Sequence, residues 1–267
     1  ANTAVGFQAL EANTTSNNSA FGYKALAVNT TGHRNAAFGF KSLITNTSGN
    51  YNVAMGHQTL LSNTIGNFNV AIGDESLYSN TTGNRNTAVG RATLYNNTIG
   101  SFNSAFGMYA LVNNTTGVAN TSIGYNTLLA NTTGANNTAI GYQSLNANTG
   151  GYNNTSVGYA SLQTNVVGGN NTSVGYQSLF SNTTNNNSAF GYRSLYSNTS
   201  GAFNSAFGYR ALLNNTIGLR NSAFGDASLV SNTTGSNNVA VGYASLNANT
   251  IGANNVAIGM SALLANT

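Results

Sequence analysis

The apolar and polar positions of this chain repeat with a fixed period. Sixteen glycines follow one another at intervals of 17 residues, apart from two intervals of 16. With this glycine as register position 1, position 5 is Leu in every copy and position 17 is always Val, Ile, Phe or Met. Such a period predicts a solenoid in which each copy of the repeat forms one coil. The glycines are Gly6, Gly22, Gly39, Gly56, Gly73, Gly90, Gly107, Gly124, Gly141, Gly158, Gly175, Gly191, Gly208, Gly225, Gly242 and Gly259.

The residues of the repeat favour strands over helices. The unit reads roughly G-Y-x-S-L-x-x-N-T-T-G-x-N-N-T-A-V, and its T-A-V-G-Y segment is rich in strand-forming residues. A unit of 17 residues is too short for two helices and their turns. We therefore predict an all-β fold, a parallel β-solenoid (β-roll or β-helix) of about 16 coils with a 17-residue repeat. Residues 1–267 are expected to form a single continuous solenoid without distinct caps.

In a solenoid, residues at the same register position stack into a column along the axis. The invariant apolar columns predict the interior, at position 5 and also at position 17, where Val5 and Ile72 lie. Gly at position 1 and Ala or Ser at position 16 suit a close approach of backbones. Gly at position 11 suits a turn with positive φ. The predicted core leucines include Leu10, Leu26, Leu43, Leu60, Leu77 and Leu94.

Positions 8 and 14 are Asn in every copy. Many of these residues start an Asn-x-Ser/Thr sequence, so Asn13, Asn80 and Asn232 are candidate glycosylation sites. Other copies, such as Asn63, keep the Asn although the glycosylation sequence is lost. A structural role explains this better, with stacked side-chain amides that bond from coil to coil. The predicted ladder residues include Asn29, Asn35, Asn46, Asn52, Asn63, Asn69, Asn131 and Asn137.

The composition excludes several classes of protein. Charged residues make up only 4% of the chain, against about 25% in a typical soluble domain. Hydrophobic residues make up 40%, including 14 Tyr and 12 Phe, which argues against a disordered chain. A net charge of +4 is small for a nucleic-acid-binding protein, and no apolar stretch is long enough to cross a membrane. We therefore expect neither nucleic-acid binding nor membrane insertion.

One polar group stands out as candidate chemistry. His57, Asp74 and Arg91 occupy position 2 of consecutive coils, and Glu75 is adjacent. They could form a metal or catalytic cluster, or an exposed ladder of alternating charge. We favour the ladder, because a metal site needs more ligands and a shaped pocket. The sequence predicts no catalytic residue, no metal site and no cofactor, so we expect that the protein is not an enzyme.

Two further columns indicate an interface. Position 2 is mostly Tyr or Phe, and position 6 is often apolar, as at Ile44 and Tyr95. A partly exposed apolar stripe along a rod is typical of a contact surface. These columns predict self-association, as a filament or a homotrimer.

Three segments resemble known repeats. NTAVGFQAL, NTAIGYQSL and NTSVGYQSL, with the NTTG loops, resemble repeats of long phage and bacterial fibre proteins, of the type that precedes endosialidase-type chaperone domains. They are also similar to the head repeats of YadA-like trimeric autotransporter adhesins, a left-handed parallel β-roll. The resemblance covers the whole chain. It implies a fibre at the cell or virion surface or outside the cell.

These observations predict an extracellular structural fibre protein, a stiff rod that assembles end to end or laterally. Both terminal coils look like the middle ones, up to Asn266 and Thr267, so we expect either a segment of a longer repeat rod or a subunit that stacks head to tail. One alternative is an adhesin or phage tail-fibre shaft whose aromatic and Asn-rich loops contact surface glycans. Another is an ice-binding solenoid, although positions 10 and 15 interrupt Thr with Ile, Val and Ser.

Overall fold

The computed structural model describes residues 1–266, in which every regular element is a β-strand. The chain divides into two compact units, Ala1–Ala135 and Asn136–Thr267, and Thr267 itself lies outside the described residues. In each unit the strands pair in parallel with their neighbours in the sequence, one strand per repeat. The predicted all-β parallel solenoid with a 17-residue repeat is confirmed.

Every strand is three residues long and covers positions 15 to 17 of the repeat. The first unit contains β1 (Thr3–Val5), β2 (Ser19–Phe21), β3 (Ala36–Phe38), β4 (Val53–Met55), β5 (Val70–Ile72), β6 (Thr87–Val89), β7 (Ser104–Phe106) and β8 (Thr121–Ile123). The second contains β9 (Thr138–Ile140), β10 (Thr155–Val157), β11 (Thr172–Val174), β12 (Ser188–Phe190), β13 (Ser205–Phe207), β14 (Ser222–Phe224), β15 (Val239–Val241) and β16 (Val256–Ile258).

Hydrogen bonds between coils continue well beyond these short strands. The N–H of Gly22, after β2, donates to the carbonyl of Val5 at 2.8 Å. Four residues later, the N–H of Leu26 donates to the carbonyl of Ser42 at 3.0 Å. Each coil is therefore tied to its neighbours through its turns as well as its strand, so residues of equal register stack along the whole coil.

The turns depend on left-handed backbone conformations. Gly at position 1 has φ between 119° and 144°, and a Cβ added at Gly6 would lie 2.5 Å from the carbonyl oxygen of Gly22. Positive φ and close approach both require glycine there. Positions 3, 5 and 13 are also left-handed, with φ of 47° to 65°, although none of them is ever glycine. Each costs about 1 kcal/mol or more, which the surrounding hydrogen bonds and packing must offset.

The predicted reason for Gly at position 11 is wrong. These glycines do not have positive φ. Instead, a Cβ at Gly49 would lie 2.4 Å from the side-chain oxygen of Asn46 and 2.4 Å from the carbonyl oxygen of Gly66. The close approach of an asparagine and the next coil excludes any side chain at this position.

The interior differs from the prediction at one column. Leu26, Leu43, Leu60, Leu77 and Leu94 are fully buried as predicted, and Leu10 in the first coil is half-buried. The small residue at position 16, the middle residue of each strand, is buried too, except for Ala4 in β1.

Position 17 does not contribute to the core. Met55 is 44% exposed and Ile72 is 38% exposed, and no residue of this column is buried. Successive side chains of a strand point to opposite faces, so an inward position 16 forces positions 15 and 17 outward. The prediction that Val5 and Ile72 line the interior is therefore wrong.

Candidate functional surfaces: asparagine ladders and exposed columns

The asparagines of position 8 form a ladder inside each unit, interrupted in the second unit between Asn165 and Asn182. The Nδ2 of Asn46 donates to the Oδ1 of Asn29 at 2.8 Å and to the carbonyl of Gly49 at 3.0 Å. Asn63 repeats the pattern, with donation to Asn46 at 2.8 Å and to Gly66 at 3.1 Å. Each amide therefore uses one hydrogen to join the preceding coil and the other to close its own loop.

The asparagines of position 14 form a second ladder with a different geometry. The Oδ1 of Asn35 accepts from the backbone N–H of Asn52 at 2.9 Å and from its Nδ2 at 3.2 Å. The Nδ2 of Asn35 donates to the carbonyl of Gly49 at 2.8 Å. That carbonyl also accepts from Asn46, so the two ladders meet at the position 11 glycine.

The asparagines predicted for the ladders all lie in this interior, and their structural role is confirmed. None is more than 2% exposed; they are Asn29, Asn35, Asn46, Asn52, Asn63, Asn69, Asn131 and Asn137. Only an amide supplies both two donors and an acceptor in this volume. A buried polar group without partners costs about 1–3 kcal/mol. Each rung of the ladder, the hydrogen bond between asparagines of adjacent coils, therefore depends on the next.

The same geometry bears on the candidate glycosylation sites. Asn80 and Asn232 are fully buried, and the Nδ2 of each donates two hydrogen bonds. A glycan on Nδ2 would displace these bonds and is incompatible with the packing of the folded unit. Asn13 is half-buried, and its Oδ1 accepts from Asn29 at 2.6 Å.

Serine also pairs inside the solenoid, which the sequence analysis missed. The Oγ of Ser122 lies 2.6 Å from the Oγ1 of Thr127 in the following coil, and the hydroxyls of Ser173 and Ser178 pair in the same way. The signal was present in the repeat, because Ser occurs at position 16 only where the following position 4 is Ser or Thr. A buried serine of position 4 without such a partner, such as Ser42, donates instead to the carbonyl of its own coil's glycine, Gly39, at 3.3 Å.

The charged column at position 2 stacks as predicted. The Nδ1 of His57 lies 3.0 Å from the Oδ1 of Asp74, and the Nε of Arg91 lies 3.6 Å from its Oδ2. All three side chains are about half exposed, which makes each contact worth no more than about 1 kcal/mol. Over residues 1–266, no cluster of three or more His, Cys, Asp or Glu side chains could hold a metal ion.

Aromatic rings of position 2 stack along the axis. Phe7, Tyr23 and Phe40 lie 5.5 and 5.2 Å apart between ring centroids, with planes tilted by 11°. In the second unit a run of five rings continues at 5.1 to 5.3 Å. These five are Tyr142, Tyr159, Tyr176, Tyr192 and Tyr209. The ring faces cover one another and leave the ring edges and hydroxyls to solvent.

Position 6 is more covered than position 2. Tyr78 and Tyr95 are half-buried and stack at 4.8 Å. Burial raises the pKa of the Tyr95 hydroxyl above its ordinary value, and the charges of Glu75 and Tyr78 raise it further. Glu75 therefore acts on this column and takes no part in the ion pairs around Asp74.

Threonine at position 9 closes the outer edge of the loops. The hydroxyl of Thr64 donates to the carbonyl of Thr81 at 3.1 Å, and that of Thr81 to the carbonyl of Thr98 at 3.1 Å. The hydroxyl hydrogens of this column are thus committed to the backbone of the next coil. This explains why Thr is retained at an exposed or half-exposed position in almost every copy.

Within each unit, the described residues enclose no pocket that could hold a small ligand. The described part of the chain also includes no helix of the length and apolarity required to cross a membrane. Comparison with protein-family models gives no match, and comparison with curated proteins gives no similar sequence. The candidate sites are therefore the ladders inside the solenoid and the columns on its surface.

Proposed function

We propose that this chain is the shaft of an extracellular or surface fibre and that its role is mechanical. The observation that carries the proposal is the polar interior. The asparagines of position 8 bond to a neighbouring coil and to their own loop, and those of position 14 bond to the coils on both sides. Opening one rung exposes the donors and acceptors of the next, so bending or local opening is costly. A stiff β-solenoid of this kind is compatible with a structural repeat protein.

We further propose that copies associate side by side through the apolar column at position 17. Its residues project from the outer face of the sheet, and none of its sixteen positions carries a charge. The aromatic column at position 2 flanks it, with only the position 1 glycine between them in the sequence. An extended apolar stripe of this kind favours burial against another molecule, and a second copy has the same axial repeat. A homotrimer or a filament would satisfy this geometry.

The two alternatives have less support. A sugar ring stacks on the face of an aromatic side chain, but neighbouring rings cover the faces of most position 2 tyrosines, as for Tyr159 and Tyr176. An ice-binding surface needs a regular array of hydroxyls that can bond to water. The Thr hydroxyls of position 9 instead donate to the backbone.

Light scattering and negative-stain electron microscopy of the purified chain test the association. We expect assemblies of defined width, and we expect V157K/V174K, which places charges in column 17, to reduce them to single chains. The control N153K/N170K adds the same charge to the same two coils at position 13, where Arg occurs naturally. Single chains for the unmodified protein, or equal effects of both variants, would refute lateral association through column 17.

A further inference from the structure

Half of the eight basic residues occupy position 3, and they form two pairs on adjacent coils. The lysine pair is Lys24 and Lys41, and the arginine pair is Arg193 and Arg210. The N–H of Arg210 donates to the carbonyl of Tyr192, the residue before Arg193, at 2.9 Å. This bond sets the two arginine backbones one strand spacing apart, about 4.8 Å.

The charged group of each of the four cations lies within 5.5 Å of the centroid of the aromatic ring that precedes it in the sequence. Arg193 lies 5.3 Å from the ring centroid of Tyr192, and Arg210 lies 5.1 Å from that of Tyr209. The lysines do the same at 5.5 and 5.1 Å. Arg193 is fixed further by a 2.9 Å bond from its Nε to Gln177. These contacts orient the cationic groups without neutralising them.

No carboxylate among the described residues balances these pairs. The ion pairs found there all involve Asp74, which lies between two cations of column 2. Asp226 follows Tyr209 in column 2 but makes no ion pair with Arg210. Like charges on adjacent strands are destabilising, so stacking two arginines does not serve the fold.

The backbone does not require a basic residue here either. Position 3 is left-handed, and Gln177 and Ala227 adopt the same conformation as the arginines beside them. Since the repeat accepts uncharged residues at this position, the paired cations call for an explanation outside folding.

We propose that the arginine pair binds a sulfate or phosphate ester group carried by an acidic polysaccharide. Two guanidinium groups at the spacing of adjacent coils can bracket one tetrahedral oxyanion, each donating charge-assisted bonds of about 2.8 Å. One such contact on an exposed surface is weak, so useful affinity requires a polymer with many anionic groups. The lysine pair repeats the arrangement with point charges, which bind such groups less selectively.

A single-stranded nucleic acid fits the site less well. Proteins that bind it stack bases on aromatic faces, whereas neighbouring rings cover both faces of Tyr192 and one face of Tyr209. The site also differs from the column proposed for lateral association, because it lies at position 3 and is cationic.

Binding of dextran sulfate to the intact chain, measured by calorimetry, tests the proposal. The variant R193Q/R210Q removes the pair, and Gln is natural at position 3. The control R85N/R220N removes the same charge from position 13, where Asn is natural. Uncharged dextran, inorganic sulfate and single-stranded DNA serve as comparison ligands. Circular dichroism and light scattering verify that the variants fold and assemble like the unmodified chain, which separates this test from that of lateral association.

We expect dextran sulfate to bind, uncharged dextran not to bind, and inorganic sulfate to bind far more weakly. R193Q/R210Q should weaken dextran sulfate binding about tenfold at low salt, as two lost exposed charge contacts imply, and the control should change it less than about twofold. Equal losses in both variants would indicate a general charge effect and overturn the proposal. No binding of dextran sulfate, or tighter binding of DNA, would also overturn it.

Discussion

The two coils that lack one loop residue, beginning at Gly6 and Gly175, show how the ladder depends on its loops. Both have lost the glycine of position 11. In both, the carbonyl of the position 10 threonine replaces the missing glycine carbonyl as the acceptor. The Nδ2 of Asn13 donates to Thr15 at 2.7 Å, and that of Asn182 donates to Thr184 at 2.9 Å. The local repair is the same in the two coils.

The consequences for the neighbouring coils differ. Each shortened coil still accepts a bond from the coil that follows, as from Asn198 to Asn182 at 2.7 Å. The Nδ2 of Asn182 forms no such bond to the coil before it, and the Oδ1 of Asn165 is buried without a hydrogen-bond partner. The first shortened coil has no counterpart to Asn165, because the described chain holds no earlier position 8.

The comparison teaches that a loop deletion affects one direction of the ladder. In each rung, the Nδ2 of the later coil donates to the Oδ1 of the earlier coil. The asparagine of a shortened loop therefore fails to donate to the preceding coil, while its Oδ1 still accepts from the following coil. The Asn165 rung is therefore the weakest point that the structure reveals in the position 8 ladder. It follows that intact rungs and this rung should respond differently to the same substitution.

The largest effect is expected from a charge in an intact rung. In Asn232→Asp, a carboxylate would face the acceptors of Asn215 and Gly235, to which Asn232 now donates. We expect a loss of about 3 kcal/mol or more in the free energy of unfolding, measured by denaturant titration. Burial would raise the pKa of the new carboxyl in the folded state, so the loss should shrink as the pH falls.

Asn237→Asp is the matched control for this variant, since Asn237 is exposed in the same loop. Its effect should stay within about 0.5 kcal/mol. Similar losses in the two variants would contradict the burial of the ladder.

A smaller effect is expected from truncating the two kinds of rung. Asn63→Ala removes the donor to the Oδ1 of Asn46 and the acceptor of the Nδ2 of Asn80, because Asn63 bonds to both. Asn165→Ala removes only the bonds to Asn148 and Gly168, since its own Oδ1 has no partner to lose. We expect Asn63→Ala to cost about 1–2 kcal/mol more in unfolding free energy. Equal losses of unfolding free energy in the two variants would mean that the missing bond at Asn165 does not affect stability.

The smallest effect is a gain in stability. Inserting Gly after Thr184 restores the full N-T-T-G loop, and it should let Asn182 donate to Asn165. We expect about 1 kcal/mol of added stability from satisfying the buried acceptor. The same insertion after Thr15 repairs no rung and should leave the unfolding free energy nearly unchanged. A gain of the same size at Thr15 would attribute the effect to relief of strain in the shortened loop instead.

The repeat alone predicted the coil, its strand and the asparagine ladders. Those predictions succeeded because a residue type that never varies over sixteen copies must satisfy a demand that recurs in every coil. Asn63 was informative because it persists without the glycosylation sequence.

The placement of position 17 failed for a physical reason. The size and apolarity of Ile72 predicted that it lies in the interior. In a pleated strand, however, only one of two adjacent side chains can point inward, and here it is the smaller Ala71. The thin coil is filled by leucine, small residues and amides. Likewise, Gly49 is required by contacts with a neighbouring loop, which no local turn preference could reveal.

The paired cations and the broken rung lay beyond sequence reasoning because both depend on which atoms meet across coils. Arg193 and Arg210 share a register position, but their lack of a carboxylate partner is a property of the folded surface. The orphaned oxygen of Asn165 likewise follows from the direction in which Asn182 donates.

Hydrogen exchange of the asparagine side-chain amides, followed by nuclear magnetic resonance, tests the central claim most directly. The claim is that two closed amide ladders hold the solenoid together. We expect slow exchange at positions 8 and 14, as for Asn46 and Asn52, and fast exchange at exposed Asn237. The Nδ2 of Asn182, which lacks the backward bond, should exchange faster than that of Asn46. If the amides of positions 8 and 14 exchange as fast as Asn237, the ladders are open to water and the account is wrong.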